Sequence, residues 1–222
     1  MFLLNPFVFS QSGFALDPAK VKLLLHFDGN YNDSSPNNHA MTSGGNVSIS
    51  TSEPKFGTGK LQFGSAPTNG FVKSPNIFDF GNKRPFTISF FYRDGNDLGC
   101  FFTTRDSPIC APMEFNRGGS GILFVGNAAL SSWTYVYPNM NITSTAYQHC
   151  AVVGDGTNIK VYRDGSLVAT TPHPSWASAS WFIQLGKNGD SWCSNGGMDE
   201  FLLYDGALWT ADFTPPTTPF TY

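Results

Sequence analysis

The sequence predicts an all-β chain folded as a two-sheet antiparallel sandwich, and three observations carry that expectation. Short apolar or alternating runs recur from Val21 onward, each bounded by Gly, Asn, Asp or Pro, which is the pattern of strands joined by turns. No stretch shows the apolar periodicity of an amphipathic helix. The 222 residues suit one such unit, since all-β domains of roughly 200–250 residues commonly share a single core.

Residues 1–20 differ from the rest. Phe2, Leu3, Leu4, Phe7, Val8 and Phe9 precede a polar Gln11-Ser12-Gly13 and then Asp17-Pro18. An exposed apolar arm invites aggregation, so it is expected to pack on its own domain or to anchor the chain on a partner or in an oligomer. It lacks a basic start and its apolar run is broken at Asn5-Pro6, so it is read as retained and not as a signal peptide.

The run from Val21 to Phe27 reads as a buried strand ended by Asp28-Gly29. Further along, Phe86, Ile88 and Phe90 alternate with Thr87 and Ser89, which places the three apolar side chains on one face. Trp133, Tyr135 and Tyr137 alternate in the same way. Core or subunit interface is the favoured place for them, with an aromatic platform as the alternative. Residues 150–169 form a three-strand meander whose two Asp-Gly pairs, at 155–156 and 164–165, supply the positive φ that tight hairpins need. Two more strands follow at residues 182–186 and 198–204, and Phe213-Thr214-Pro215-Pro216 closes the domain. The Pro-rich tail, residues 215–222, is expected to lie extended on the surface.

Aromatic residues make up 15% of the chain, with 21 Phe and 5 Trp, against 13% charged residues. That supports a large core under a surface of Ser, Thr, Asn and Gly. Lys plus Arg total 13 and Asp plus Glu total 16, with no basic stripe, so nucleic acid is an improbable partner on charge grounds. No run reaches the roughly 20 apolar residues of a membrane-spanning helix. Cys100, Cys110, Cys150 and Cys193 contain no C-x-x-C pair, which argues for free thiols over a metal or redox site. Asn32, Asn46 and Asn141 head sequons that chains rich in Asn, Ser and Thr produce by chance.

Five segments in order resemble the laminin-G-like, concanavalin-A-like lectin/glucanase jelly-roll family. They are Leu23-Leu24-Leu25-His26-Phe27-Asp28-Gly29 with Asp33-Ser34-Ser35; Lys55-Phe56-Gly57-Thr58-Gly59-Lys60-Leu61-Gln62-Phe63 leading to the 86–90 strand; Tyr147-Gln148-His149-Cys150; Tyr162-Arg163-Asp164-Gly165; and Gly196-Gly197-Met198-Asp199-Glu200-Phe201 with the closing Leu208-Trp209-Thr210-Ala211-Asp212-Phe213. The resemblance implies a jelly roll over residues 21–222 preceded by an arm at 1–20. The arm from Leu3 to Phe7 and the closing phrase also resemble bacteriophage structural proteins that carry this domain. This implies a capsid decoration or tail/fibre protein on the virion surface, made in the bacterial host cytoplasm. Other virion proteins would be its partners, with host glycans as a further ligand and a homotrimer as the expected assembly. Cys150 and Gly154 depart from the family's usual small or β-branched and charged residues, so the meander is expected to pack differently.

Glucanases of this superfamily work with two carboxylates from alternate positions of one strand. Only Glu53, Glu114 and Glu200 are present, none in a Glu-x-Asp-x-Glu pattern, and Asp199 and Glu200, as strand neighbours, are expected on opposite faces. No G-x-S-x-G accompanies the four His at 26, 39, 149 and 173. No catalytic residue is therefore assigned, and His26 and His149 are read as structural. For carbohydrate, Asn188, Asp190 and Trp192 combine amide, carboxylate and aromatic groups. Residues 28–33 are dense in oxygen donors but not an EF-hand, since Asp33 and His39 stand where Gly and Glu are required. The resemblance implies a structural Ca2+ held by Asp28, Asn30, Asp33 and Asp199; a solvated Asx-rich turn is the alternative.

Overall fold

The computed structural model describes residues 15–64, 70–93, 99–105, 110–116, 121–140, 145–188 and 195–222. The apolar residues of the arm, Phe2 to Phe9, lie outside them, as do Asp190, Trp192 and Cys193. After a 3-10 turn at Pro18–Lys20 the strands are β1 (Val21–Leu25), β2 (Thr42–Gly44), β3 (Val47–Ser50), β4 (Lys60–Phe63), β5 (Phe71–Lys73), β6 (Phe78–Asp79), β7 (Phe86–Arg93), β8 (Cys100–Thr103) and β9 (Met113–Asn116). There follow β10 (Ile122–Gly126), β11 (Trp133–Val136), β12 (Gln148–Gly154), β13 (Asn158–Arg163), β14 (Ser166–Pro172), β15 (Ser180–Trp181), β16 (Gln184–Gly186) and β17 (Gly196–Tyr204).

Every named pairing is antiparallel, and two large sheets result. One runs β14-β13-β12-β7-β17-β4-β3, with β1 sharing the far edge of β17; the other runs β11-β10-β9-β8-β16-β5-β2, and β15 pairs with β6 in a small third sheet. The two large sheets enclose the main core, in which Phe90 meets Phe101 at 5.3 Å and Phe101 meets Phe115 at 5.2 Å between ring centroids. This is the all-β jelly-roll sandwich expected from the sequence, with the 150–169 meander realised as β12-β13-β14.

The two Asp-Gly turns differ. At 164–165 both residues have positive φ, 50° and 81°, the backbone of a type I′ hairpin. A Cβ on Gly165 would lie 1.8 Å from the Phe213 carbonyl oxygen, so only glycine fits. At 155–156 only Gly156 is positive, and the Asp155 carboxylate instead closes the loop by accepting from the backbone N–H groups of Thr157 (2.9 Å) and Asn158 (2.7 Å). Gly154, a departure from the family pattern, is explained by the Phe86 ring, which would stand 2.4 Å from an added Cβ.

Two expectations about the termini are refined. The tail lies mostly exposed on the surface, but it is pinned there: Phe220 is buried with Leu16, Trp209, Tyr162, Leu202 and Tyr204 in a second cluster on the outer side of the eight-stranded sheet. Ala15 bridges Thr221, and the Leu16 N–H donates to the Thr221 carbonyl at 2.9 Å. Of residues 15–20, read as part of the arm, Leu16 is buried against the domain while the others are exposed. The reason is the apolar outer face of β1, β12 and β17, where Val21, Leu24, Ala151, Val153 and Leu202 would otherwise meet water.

Candidate functional site

The outer face of the seven-stranded sheet can be read from its register. Thr42, Lys73, Gln184, Thr103, Glu114, Phe124 and Tyr135 are successive cross-strand partners, so they form one row across the sheet. Their neighbours Val72, Leu185, Phe102, Met113, Leu123, Val125 and Val136 turn into the main core. Trp133 and Asn116 fall on the same outer side, two residues from Tyr135 and Glu114 respectively.

At one end of this row four aromatic side chains reach solvent, two of them only in part. Tyr135 is 53% exposed, Tyr137, just beyond β11, is 67% exposed, and Trp133 and Phe124 are half-buried. The Phe124 ring supports the other two edge-on, Trp133 at 5.9 Å and 82° and Tyr135 at 5.1 Å and 69°. Trp133, Tyr135 and Tyr137 share a face, as their alternation indicates, but that face is not the core.

Beside them sits a buried polar cluster. Arg105 donates to Glu114 through Nε at 2.6 Å and Nη2 at 3.3 Å, a two-point pair with both side chains almost fully buried. Glu114 accepts further from Asn116 Nδ2 (2.7 Å), Asn188 Nδ2 (2.8 Å) and Thr103 Oγ1 (3.2 Å), so both carboxylate oxygens are occupied. The Arg105 guanidinium lies 5.8 Å from the centre of the Trp133 ring, within cation–π range. Asn116 Oδ1 is buried with no hydrogen-bond partner among the described residues, a state that costs about 1–3 kcal/mol. Of the three residues proposed for carbohydrate, Asn188 enters this cluster through Glu114.

The four residues expected around Ca2+ do not assemble into a ligand set. Asp28 accepts from the Thr58 and Gly59 N–H groups and the Thr58 hydroxyl. Asp33 accepts from the N–H groups of Leu24, Ser35 and His39 and from the Ser35 hydroxyl, and exposed Asn30 closes an Asx turn on Asn32 at 2.8 Å. Asp199 accepts from the N–H groups of Lys55 (2.7 Å), Phe56 (3.2 Å) and Glu200 (2.9 Å). Among the described residues no three His, Cys, Asp or Glu side chains converge on a metal position. Asp28 and Asp199 instead clamp residues 55–59 from the two ends by accepting from backbone donors, the contacts an Asx-rich turn makes.

Asp199 and Glu200 do not point to opposite faces as simple alternation requires. Pairing with β7 shifts register between Asp199 and Leu202, Glu200 has φ 51°, and both Met198 and Phe201 enter the main core. This is a β-bulge, with the extra residue turned to the outer side. Glu200 lies 2.8 Å from His26 Nδ1 and accepts from the Phe220 N–H at 3.2 Å, tying β17 to the tail. Burial raises the Asp199 carboxyl to about 7, and the bond to Glu200 raises His26. Burial pushes His149 down to about 3; it is bonded to Ser89 at 2.8 Å and enclosed by Phe91, Trp209 and Phe213. Both His26 and His149 are structural.

Arg105, Glu114, Asn116 and Phe124 escape the sequence reading. Met113-Glu114-Phe115-Asn116 does alternate, but over four residues, and Ile122-Leu123-Phe124-Val125 is apolar throughout and hides which side chains face out.

Comparisons with solved structures agree on the fold. The binding domain of Paraclostridial Mosquitocidal Protein 1 is similar at 14% identity and TM-score 0.66, with 86% of this chain covered and 50% of that one. Domain 4 of AbnA, a GH43 extracellular arabinanase from Geobacillus stearothermophilus, in complex with arabinotriose, is similar at 18% identity and TM-score 0.66, covering 86% and 94%. A botulinum neurotoxin type C structure, from work on cell entry dependent upon interaction with two ganglioside molecules, gives 12%, 0.61, 86% and 49%. The chain thus spans half of the toxin structures and nearly all of the arabinanase domain. Curated protein sequences give no match. Residues 64–212 match the Laminin_G_3 model, and with two thirds of its length so matched the chain belongs to that family of the concanavalin A-like lectin/glucanases superfamily.

Proposed function

We propose that this chain is a non-enzymatic, lectin-like surface domain that holds glycans on the outer face of its seven-stranded sheet, and that it does so as a bacteriophage virion protein. The observation that carries the glycan reading is exposed Tyr135 with half-buried Trp133, both supported on Phe124 beside a closed cluster of Arg105, Glu114, Asn116 and Asn188. Aromatic faces that cover sugar C–H groups, next to fixed amides, are the usual furniture of a carbohydrate site. The similarity to an arabinanase domain in complex with arabinotriose supports the same reading.

A glycosidase needs two carboxyl groups, roughly 5–5.5 Å apart for retention or 6.5–9.5 Å for inversion. Glu114 is the only carboxylate among the described strand residues on this face, and Arg105 holds it in a two-point pair. Asp199 and Glu200, on the eight-stranded sheet, are buried under backbone donors and His26. Glycan-array binding by the intact chain that disappears in Tyr135→Ala is the expected result; a silent array, or sugar released from capsular or cell-wall polysaccharide, overturns the reading.

Support for the virion comes from sequence: the Leu3-to-Phe7 arm and the closing Leu208-to-Pro216 phrase. Antibody labelling of intact particles, viewed by electron microscopy, should decorate the head for a capsid decoration protein or the tail for a tail or fibre component. Absence from purified particles by mass spectrometry would sink the virion assignment.

A further inference from the structure

Independently of the glycan reading, we propose that β11 is a self-pairing edge, through which two copies of this chain join their seven-stranded sheets by antiparallel strands with Tyr135 opposite Tyr135. The ground is where the backbone of β11 points. The Asn127 N–H donates to the Ser132 carbonyl at 2.9 Å, and on the other side of β10 the Gly126 N–H donates to the Pro112 carbonyl at 3.0 Å. Alternation along the ladder from these two bonds makes Val125–Thr134 and Leu123–Val136 the bonded pairs. The N–H and C=O groups of Trp133 and Tyr135, opposite Gly126 and Phe124, therefore turn to the open side. β11 ends its sheet, and among the described residues no hydrogen bond reaches those groups.

An open strand edge is a template for another strand, and folded chains blunt theirs. On β14 the Leu167 N–H donates to Asp212 at 2.8 Å, and the strand ends at Pro172, which has no N–H. On β1 the Leu24 N–H donates to Asp33 at 3.1 Å, and the Leu24 carbonyl accepts from the Ser34 N–H at 2.7 Å. On β3 the Val47 carbonyl accepts from the Tyr31 hydroxyl at 3.2 Å, and β2 has only three residues. Trp133-Thr134-Tyr135-Val136-Tyr137 uses none of these devices: it carries no charge and no proline, and its pairing with β10 has no register shift.

The same five residues select the occupant. Their order, ring, β-branched, ring, β-branched, ring, reads the same in both directions about Tyr135. A second copy run antiparallel in that register sets Trp133 against Tyr137 on the outer side and Thr134 against Val136 on the inner side, and such cross-strand pairs are the unit of sheet stability. Trp133, Tyr135 and Tyr137 of each copy then exchange backbone bonds with their opposites, and no like charges meet. Arg163, which reaches the chain just beyond the strand, donates to the Asn139 carbonyl. Tyr135 and Tyr137, 53% and 67% exposed, gain neighbours along the new row. Pairing runs in the plane of the sheet, so the outer faces of the two copies become continuous. A contact of this kind is isologous and closes at two copies.

Sedimentation equilibrium of the whole chain across a dilution series should show monomer and dimer. Thr134 is exposed, so Thr134→Lys should leave the circular dichroism unchanged. It sets an ammonium against Val136 of the second copy and should weaken the association by about tenfold or more. Hydrogen exchange should show the amides of Trp133, Tyr135 and Tyr137 protected in concentrated protein and released on dilution, with no such protection in Thr134→Lys. A monomer at every concentration, a trimer, a dimer that Thr134→Lys leaves intact, or a dimer in which these three amides exchange as fast as in the monomer overturns the inference.

Discussion

On the eight-stranded sheet, Trp209, Phe213 and Phe220 cover the face turned away from the main core, with Trp209 stacked on Phe213 at 4.1 Å and 5°. On the seven-stranded sheet the corresponding face has Glu114, Arg105 and Asn116 in a polar cluster and leaves Tyr135 in solvent. Both sheets are apolar inside, so the difference lies in what each offers outside. The first turns Leu24, Ala151, Val153 and Leu202 outward among Thr87, Ser89 and Asp199, and is covered by the chain's own termini. The second turns polar and aromatic groups outward, with Thr103, Glu114 and Asn116 buried and Tyr135 exposed at the β11 edge. A face covered by its own termini is structural, whereas an edge that leaves Tyr135 in solvent beside a buried ion pair is the part proposed to meet a ligand.

The comparison breaks first if the tail is dispensable. Trp209→Ala removes the stacked indole from the second core and should cost about 3–5 kcal/mol, read as a lower urea midpoint at unchanged m-value; a loss under about 1 kcal/mol would mean the tail merely lies on the sheet. Glu114→Gln keeps the shape of the other face but removes the charge from the two-point pair with buried Arg105, at a cost of about 3 kcal/mol. Tryptophan fluorescence should report the Trp133 surroundings changing in the same variant. An unchanged stability would mean that water already screens the pair.

Stability against pH sharpens the contrast, because groups shifted in opposite directions all lie at the eight-stranded sheet. His149, held at about 3 against 6.5 unfolded, makes the unfolded chain bind more protons between those values, so its contribution rises with pH there. Asp199, at about 7 against 3.8 unfolded, makes the folded chain bind more protons, so its contribution falls with pH between those values. The two oppose each other from 3.8 to 6.5, giving a plateau. His26, raised by Glu200, stabilises fully below 6.5 and is lost as pH climbs through its folded value, steepening the decline above the plateau. Asp199→Asn should convert the plateau into a rise, with a limiting slope of about 1.4 kcal/mol per pH unit for one proton. A plateau that persists in Asp199→Asn would show that His149 is not buried neutral.

These contrasts explain what the sequence could disclose. The β12-β13-β14 meander was legible because its turns are chemically marked and its strands are long enough to show their character. The bulge at Glu200 was not, because nothing in Met198-Asp199-Glu200-Phe201 announces a positive φ; the cause lies in Phe220 and His26, at 20 and 174 residues' remove. Asp28, Asn30 and Asp33 suggested cation ligands because oxygen-rich turns and metal loops share a composition; the N–H donors to Asn30 and Asp33 lie within nine residues, whereas those to Asp28 come from Thr58 and Gly59. For the outer face of the seven-stranded sheet, Asn188 was legible as a polar residue beside an aromatic one, whereas Arg105 and Glu114 gain their meaning from cross-strand register, which short and uniformly apolar neighbours conceal.

The smallest stability effect should come from the residue with the largest effect on binding. Tyr135 is half exposed and meets Phe124 by its edge, so Tyr135→Ala should move stability by no more than about 0.5 kcal/mol while removing glycan binding. Tyr137, more exposed still and with Pro138 between it and the next residues, supplies the control: if the platform ends at Tyr135, Tyr137→Ala leaves both stability and affinity unchanged. Thermal melts and glycan titrations on the two variants decide between a platform and a contact surface. Equal losses of affinity would extend the platform beyond β11. A change in sedimentation coefficient in Tyr137→Ala, with glycan binding intact, would instead assign this edge to contact between copies of the chain.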